Sequence, residues 1–134
     1  IYWLYYYMNR HVGAWALATD GTAPYWEWSD DGVRRAVPQT PVLATASDDG
    51  RRVYLVIANG SWTRPAPCRV TLDGFAAARA TGLVLSHDDP EASGLLERKE
   101  DVVHDLAVRV AGREVRLTVP PHAVVFVTLE AAEG

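Results

Sequence analysis

Ile1, Leu4, Tyr5, Met8 and Val12 recur at the spacing of one helical face. Tyr2, Trp3, Tyr6 and Tyr7 fill the remaining faces, so the pattern predicts a helix over 1–12 that is apolar nearly all round. Such a helix needs partners on more than one side. Asn9, Arg10 and His11 then turn polar, and Gly13 is a natural stop after the last periodic residue. From Gly13 to Pro41 the pattern is irregular, with a turn signal at Asp30-Asp31-Gly32 and a short strand expected over Val33–Val37. Beyond Pro41 the period becomes that of strands. Val42–Ser47 and Val53–Ala58 flank Asp48-Asp49-Gly50 as a hairpin, and Arg69–Leu72 and Leu83–Leu85 read as short strands. Leu106, Val108 and Val110 alternate with Ala107 and Arg109. Val115, Leu117 and Val119 alternate with Arg116 and Thr118, with a corner at Ala111-Gly112-Arg113. Pro120-Pro121 interrupts, since proline has no amide hydrogen to give a ladder. Val124–Leu129 is apolar on both faces and is expected to be central, while residues 86–105 read as a polar loop. The expected fold is mainly β: an antiparallel β-sandwich or jelly roll preceded by one short N-terminal helix.

Composition narrows what such a unit does. A chain of 134 residues and 14.7 kDa, 49% apolar, with mean hydropathy near zero (−0.07), is long enough for one proper core. A net charge of −4 and a pI near 5.5 argue against a nucleic-acid partner, because neutralising phosphates needs a basic surface. No run approaches the roughly 20 apolar residues of a membrane span, and no signal-peptide pattern opens the chain. The single cysteine, Cys68, excludes an internal disulfide and any cysteine-cluster metal site. No cofactor is expected. Nine of the thirteen aromatic residues fall within the first 28 positions. Ile1 stands inside an apolar run with no capping residue ahead of it, which reads as a cut chain.

Several side chains suggest chemistry, and each has a plainer reading. Glu27 sits between Trp26 and Trp28, and a carboxyl group held against indoles would have a raised pKa, as a glycosidase general acid needs. Retaining hydrolysis also needs a second carboxylate about 5 Å away, and no residue announces itself as that partner. Asp88, Asp89, Glu91, Glu97, Glu100, Asp101 and Asp105 form an acidic stretch without EF-hand spacing, so a solvated loop is expected in place of a cation site. His11, His87, His104 and His122 lack zinc spacing. No metal site is expected. Ser86-His87-Asp88 has triad residue types in succession, whereas a triad converges from separate segments. Asn59-Gly60-Ser61 matches a glycosylation sequon, yet it also falls where a turn is due. Cys68, at a strand start with no base beside it, reads as inert. Trp26, Trp28 and Trp62 could form an aromatic platform for sugar rings, or cover a contact with another domain.

The β part resembles a known family. Thr40–Gly50 followed by Val53–Ser61 is similar to the C-terminal β-domain of family 51 α-L-arabinofuranosidases, where a strand ending in Ala-Thr, an acidic-Gly hairpin and an apolar strand closing on Asn occur in that order. Asp73-Gly74-Phe75, Asp89-Pro90-Glu91-Ala92 and Pro120-Pro121-His122-Ala123-Val124 resemble later motifs of the same domain. Tyr5–Gly13 looks like the last helix of the preceding (β/α)8 barrel. Ala123 stands where the family usually has Ser, and Ser93 where Asn is usual.

The resemblance implies a division of the chain into 1–14, the last helix of a barrel, and 15–134, the β-sandwich. It implies that Tyr2, Trp3, Tyr6 and Tyr7 contact the catalytic barrel of the same polypeptide. It supplies no catalytic residue, because the acid/base and nucleophile glutamates of such enzymes sit at barrel strand ends and no position here aligns with them. The expected role is a non-catalytic accessory domain of an enzyme removing arabinofuranose from plant polysaccharides. The alternatives are an independent carbohydrate-binding module taking arabinose-containing polysaccharide through Trp26, Trp28 or Trp62, and an accessory domain of a family 30 or 39 type glycosidase. A crystal neighbour or an oligomer partner would cover the exposed aromatics equally well.

Overall fold

The computed structural model describes residues 2–22, 24–89 and 98–132, and of Tyr2 only the backbone. Its elements are α1 (Tyr2–Met8), β1 (Trp15–Ala16), β2 (Tyr25–Asp30), β3 (Val33–Pro38), β4 (Val42–Ala46), β5 (Arg52–Ala58), β6 (Ala66–Thr71), β7 (Ala77–Leu85), α2 (Lys99–Val102), β8 (Val103–Leu106), β9 (Arg109–Ala111), β10 (Glu114–Val119) and β11 (Val124–Ala131). A six-stranded sheet has the order β1-β4-β5-β11-β7-β8, a three-stranded sheet the order β6-β10-β9, and β2-β3 is a separate hairpin. All pairings are antiparallel. No helix among the described residues is long and apolar enough to cross a membrane.

The period-2 pattern explains how the sheets meet. Val53, Leu55 and Ile57 of β5 and Val125, Val127 and Leu129 of β11 face inward, against Val115, Leu117 and Val119 of β10. Ala66, Cys68 and Val70 of β6 and Val110 of β9 complete that interior. The other face of β11 is apolar because it is also covered. Phe126, 1% exposed, lies beneath Tyr7 and His11, with ring centroids 5.9 and 5.6 Å away. The His11 Nδ1 lies 3.3 Å from the Thr128 hydroxyl, one pleat along the same strand. Helix α1 is thus a second layer on the outer face of the large sheet, and β11 is central as its composition predicts.

After α1 the chain dives against the sheet. The Gly13 amide donates to the Thr45 hydroxyl at 2.8 Å, and a Cβ on Gly13 would stand 2.2 Å from the Ala46 carbonyl oxygen. Only glycine can approach that closely. The predicted helix over 1–12 is therefore one turn shorter. Asn9–His11 leave it through a turn in which the amides of Arg10 and His11 both donate to the Tyr7 carbonyl.

Three further differences have local causes. Leu106, Val108 and Val110 were expected in one strand, yet β8 pairs with β7 in the large sheet and β9 with β10 in the small one. The alternation continues because Leu106, Val108 and Val110 all turn toward the shared core while the backbone changes sheets. The strand over Leu83–Leu85 begins earlier, at Ala77, because small residues and Arg79 continue its register against β11. Residues 99–102, expected within a polar loop, form a helical turn that buries Val102. Glu91, Glu97, the 90–94 part of the resemblance and the Tyr2 side chain lie outside the described residues.

The irregular stretch before Pro41 contains a full hairpin. Asp30 and Val33 pair around Asp31-Gly32, whose φ values of 48° and 76° are those of a two-residue turn with both central residues left-handed. Every residue of β2 and β3 is exposed.

An exposed aromatic surface and a groove on the small sheet

The residues proposed for function occupy three places on the surface. On α1, Tyr7 points inward and is 7% exposed, whereas Tyr5, on the opposite side, is 65% exposed. Trp3 and Tyr6 lie between these extremes, in edge contact with a centroid separation of 5.5 Å. The Arg10 guanidinium stands 4.3 Å over the Tyr6 ring, and the Lys99 ammonium of α2 lies 5.7 Å from the Trp3 ring. Cations over indole and phenol faces suit the negative face of the ring quadrupole.

The hairpin holds the second group. Trp26 and Trp28 alternate with Glu27, so the two indoles share one face and the carboxylate lies on the other. This corrects the picture of Glu27 held between two indoles. Its exposed carboxylate accepts a hydrogen bond from Arg34 at 2.6 Å, in an ion pair open to solvent. Nothing there desolvates a general acid. Trp26 lies against the loop after β5, its Nε1 3.2 Å from where a Gly60 Cβ would be. Yet Trp26 and Trp28 remain 46% and 45% exposed.

Trp62, 61% exposed, stands on that same loop, two residues beyond Gly60. The loop is built by Asn59, which is buried. Its side-chain Nδ2 shares its two hydrogens among the carbonyls of Arg64, Val119 and Pro120 at 2.8, 3.2 and 3.2 Å, and its Oδ1 accepts from the Ser61 amide at 2.9 Å. The sequon asparagine is therefore the pin of a turn. His122, at φ 43°, lies beside this loop; its amide donates to the Ser61 carbonyl at 2.8 Å and its Nδ1 faces the Trp62 carbonyl at 3.2 Å. The Nε2 of His122 faces the carbonyl of His87, so Ser86-His87-Asp88 forms part of a loop support.

Among the described residues no group of three His, Cys, Asp or Glu side chains converges as metal ligands do. Cys68 is half-buried beneath the small sheet and burial pushes its thiol pKa up, away from a reactive thiolate.

No protein-family model matches the chain, and no curated protein matches it in sequence. Solved structures do. The chain is similar to the thermostable family 51 α-L-arabinofuranosidase of Thermotoga petrophila RKU-1, with a TM-score of 0.74 and 17% identity over 91% of this chain and 27% of that one. It has the fold of one part of an arabinofuranosidase. The family 51 arabinofuranosidase of Xanthomonas axonopodis pv. citri is similar at a TM-score of 0.64 and 21% identity, over 80% of this chain and 21% of that one. A Paenibacillus polymyxa xyloglucanase from glycoside hydrolase family 44 is more distant, at a TM-score of 0.52 and 14% identity, over 74% of this chain and 18% of that one. The chain thus spans about a fifth to a quarter of the length of these relatives. The fold thus occurs in proteins described as arabinofuranosidases and as a xyloglucanase, so it does not specify a substrate by itself.

One feature escapes a linear reading. Pro67, Arg69, Ala107, Arg109, Arg116 and Thr118 line an open groove of about 610 Å³ on the outer face of the small sheet. The signal was present as a single arginine between apolar neighbours in each of Cys68-Arg69-Val70, Val108-Arg109-Val110 and Val115-Arg116-Leu117. Only strand register brings the three together.

Proposed function

We propose that this chain is the non-catalytic C-terminal β-sandwich of an α-L-arabinofuranosidase-like retaining glycoside hydrolase, with α1 as the last helix of the preceding (β/α)8 barrel. The observation that carries this reading is the shared fold: it extends over 80–91% of the chain in family 51 arabinofuranosidases, yet accounts for only 21–27% of their length. The apolar surplus of α1 supports it. Tyr7 is satisfied by Phe126, while Tyr5 and parts of Trp3 and Tyr6 face away from the sheet, where a barrel would lie. In this role the sandwich braces the barrel. The parent enzyme would release arabinofuranose from plant polysaccharides through two barrel glutamates, by double displacement through a covalent intermediate.

The test compares the 134-residue chain with the polypeptide encoded by the reading frame that contains it. Hydrolysis of an aryl arabinofuranoside by the longer polypeptide, and none by the chain alone, is expected. Turnover by the chain alone, lost on Glu27→Gln, would overturn the reading.

A second reading rests on the exposed indoles of Trp26, Trp28 and Trp62, which suit an independent carbohydrate-binding module. Retardation of the isolated chain in arabinoxylan gels, abolished by Trp62→Ala, would favour it over the brace.

A further inference from the structure

The outer face of the three-stranded sheet carries a row of like charges. Arg116 of β10 is directly opposite Arg69 of β6 on one side and Arg109 of β9 on the other. Directly opposed residues on antiparallel strands have Cβ atoms about 4.5–5.5 Å apart, and like charges there are destabilising. Glu114, two residues before Arg116 on the same strand, binds the Arg116 guanidinium. Among the described residues Arg69 and Arg109 have no acidic partner.

The large sheet shows a related arrangement with an acid in the middle position. Glu130 of β11 lies opposite Arg79 of β7 and Arg52 of β5, and its carboxylate bridges both. Those two arginines also hold the Glu130 carboxyl below the usual carboxylate range. There one carboxylate is shared by both flanking arginines and offsets half of their charge. On the small sheet the middle position is a third arginine, in a chain whose net charge is −4.

We propose that this groove is a binding site for a carboxylate-bearing polysaccharide, a uronic-acid glycan, whose successive carboxylates are held by Arg69, Arg116 and Arg109. Each guanidinium fork matches a carboxylate bidentately. Beside the row of arginines the groove is lined by Pro67, Ala107 and Thr118, a mixed surface suited to sugar rings. A folded protein partner fits less well. Stable protein interfaces are anchored by aromatic or large apolar residues, and the exposed large hydrophobics lie on α1, its trailing segment, β2, β3, β4 and the β5–β6 loop, with none on β6, β9 or β10. Nucleic acid is disfavoured by the acidic remainder of the chain. The choice of a glycan among polyanions rests on the reading of the chain as part of a polysaccharide hydrolase.

The test is calorimetric titration of the 134-residue chain at low salt with oligogalacturonide, with a neutral arabino-oligosaccharide of equal length, and with oligoglutamate of equal charge. The oligogalacturonide should bind at least about tenfold more tightly than either competitor, and at least about tenfold more weakly in 0.5 M salt. The paired change Arg69→Gln with Arg109→Gln should abolish that preference. The same pair should leave unfolding stability unchanged or raised, because like charges are removed from facing positions. Arg69→Lys with Arg109→Lys, which keeps charge and loses the fork, should retain only part of the affinity. Equal binding of the neutral oligosaccharide or of oligoglutamate would overturn the proposal, as would no binding, or binding indifferent to both pairs. Such a failure alongside intact arabinofuranosidase activity in the longer polypeptide would leave the accessory-domain reading standing.

Discussion

Gly13 is the point where a single atom decides the local structure. With 2.2 Å between a would-be Cβ and the Ala46 carbonyl oxygen, Gly13→Ala must push the segment off β4 and lose the bond to Thr45. A loss of about 1–3 kcal/mol is expected from overpacking of this kind, read as a lowered urea midpoint at constant slope. His11, two residues earlier, gives the fold a pH dependence. Burial, and after it the neighbouring Arg10 charge, holds its imidazole below the ordinary 6.5. The unfolded chain accepts a proton near that value and the folded chain only at lower pH. The stability linked to neutral His11 is therefore complete above pH 6.5 and is lost as pH falls from there toward the folded value. Urea unfolding followed from pH 8 to pH 5 should show this decline, and His11→Gln should flatten it. At this scale the sequence was legible where local chemistry decides. Asn59 was readable as a turn former, and Asp31-Gly32 as a turn. Glu27 was illegible because sequence neighbours on a strand point to opposite faces, so a carboxylate flanked by two indoles in sequence is parted from both in space.

Among the elements, α1 and the β2-β3 hairpin stand in contrast. Helix α1 meets the large sheet where Phe126 lies beneath Tyr7 and His11. Phe126→Ala should cost about 3–5 kcal/mol and raise hydrogen exchange in the Tyr2–Met8 backbone more than in β10. If α1 stays protected to the same degree, its attachment lies elsewhere. The hairpin touches the body at its base, where the Gln39 amide donates to Pro24, the Gly60 amide to Gln39, and Trp26 rests on Gly60. Since its strands are exposed throughout, replacing residues 25–38 by a short glycine linker should change thermal unfolding little, by less than about 1 kcal/mol. A large loss would mean that its indoles support the sandwich. The hairpin was half legible: its turn and second strand were, but its first strand was hidden because the Trp26-Glu27-Trp28 alternation is short, lies among scattered Gly and Pro residues, and answers to no buried face. The β8–β9 break was illegible for the opposite reason, since a strand that changes sheets while facing one core keeps its alternation unbroken.

For the molecule as a whole, the sandwich was legible because its core is written as alternating valines and leucines on strands of ordinary length. The partition into a six-stranded and a three-stranded sheet was not, because pairing partners are far apart in sequence and several orders satisfy the same alternation. The arginine groove shares that origin. Each arginine alone is an exposed strand residue, and the site exists only once β6, β10 and β9 are aligned. Function is legible to a similar depth: the fold is shared with part of the arabinofuranosidases, and a fold by itself does not specify chemistry.

The place of β11 governs how the domain is assembled in time. It is hydrogen-bonded to β5 on one side and β7 on the other, and it follows both in sequence. Until residue 131 is available the two halves of the large sheet have open edges and no common strand. A nascent chain leaving the ribosome must carry these halves unjoined, with both edges offered to any other extended segment. Completion then waits on a long loop closure, which places refolding in the millisecond-to-second range of β-rich domains. A nascent chain stalled before β11 has emerged should bind chaperone holdases, and a stalled chain extended past β11 should not, a difference that co-sedimentation of the two would display.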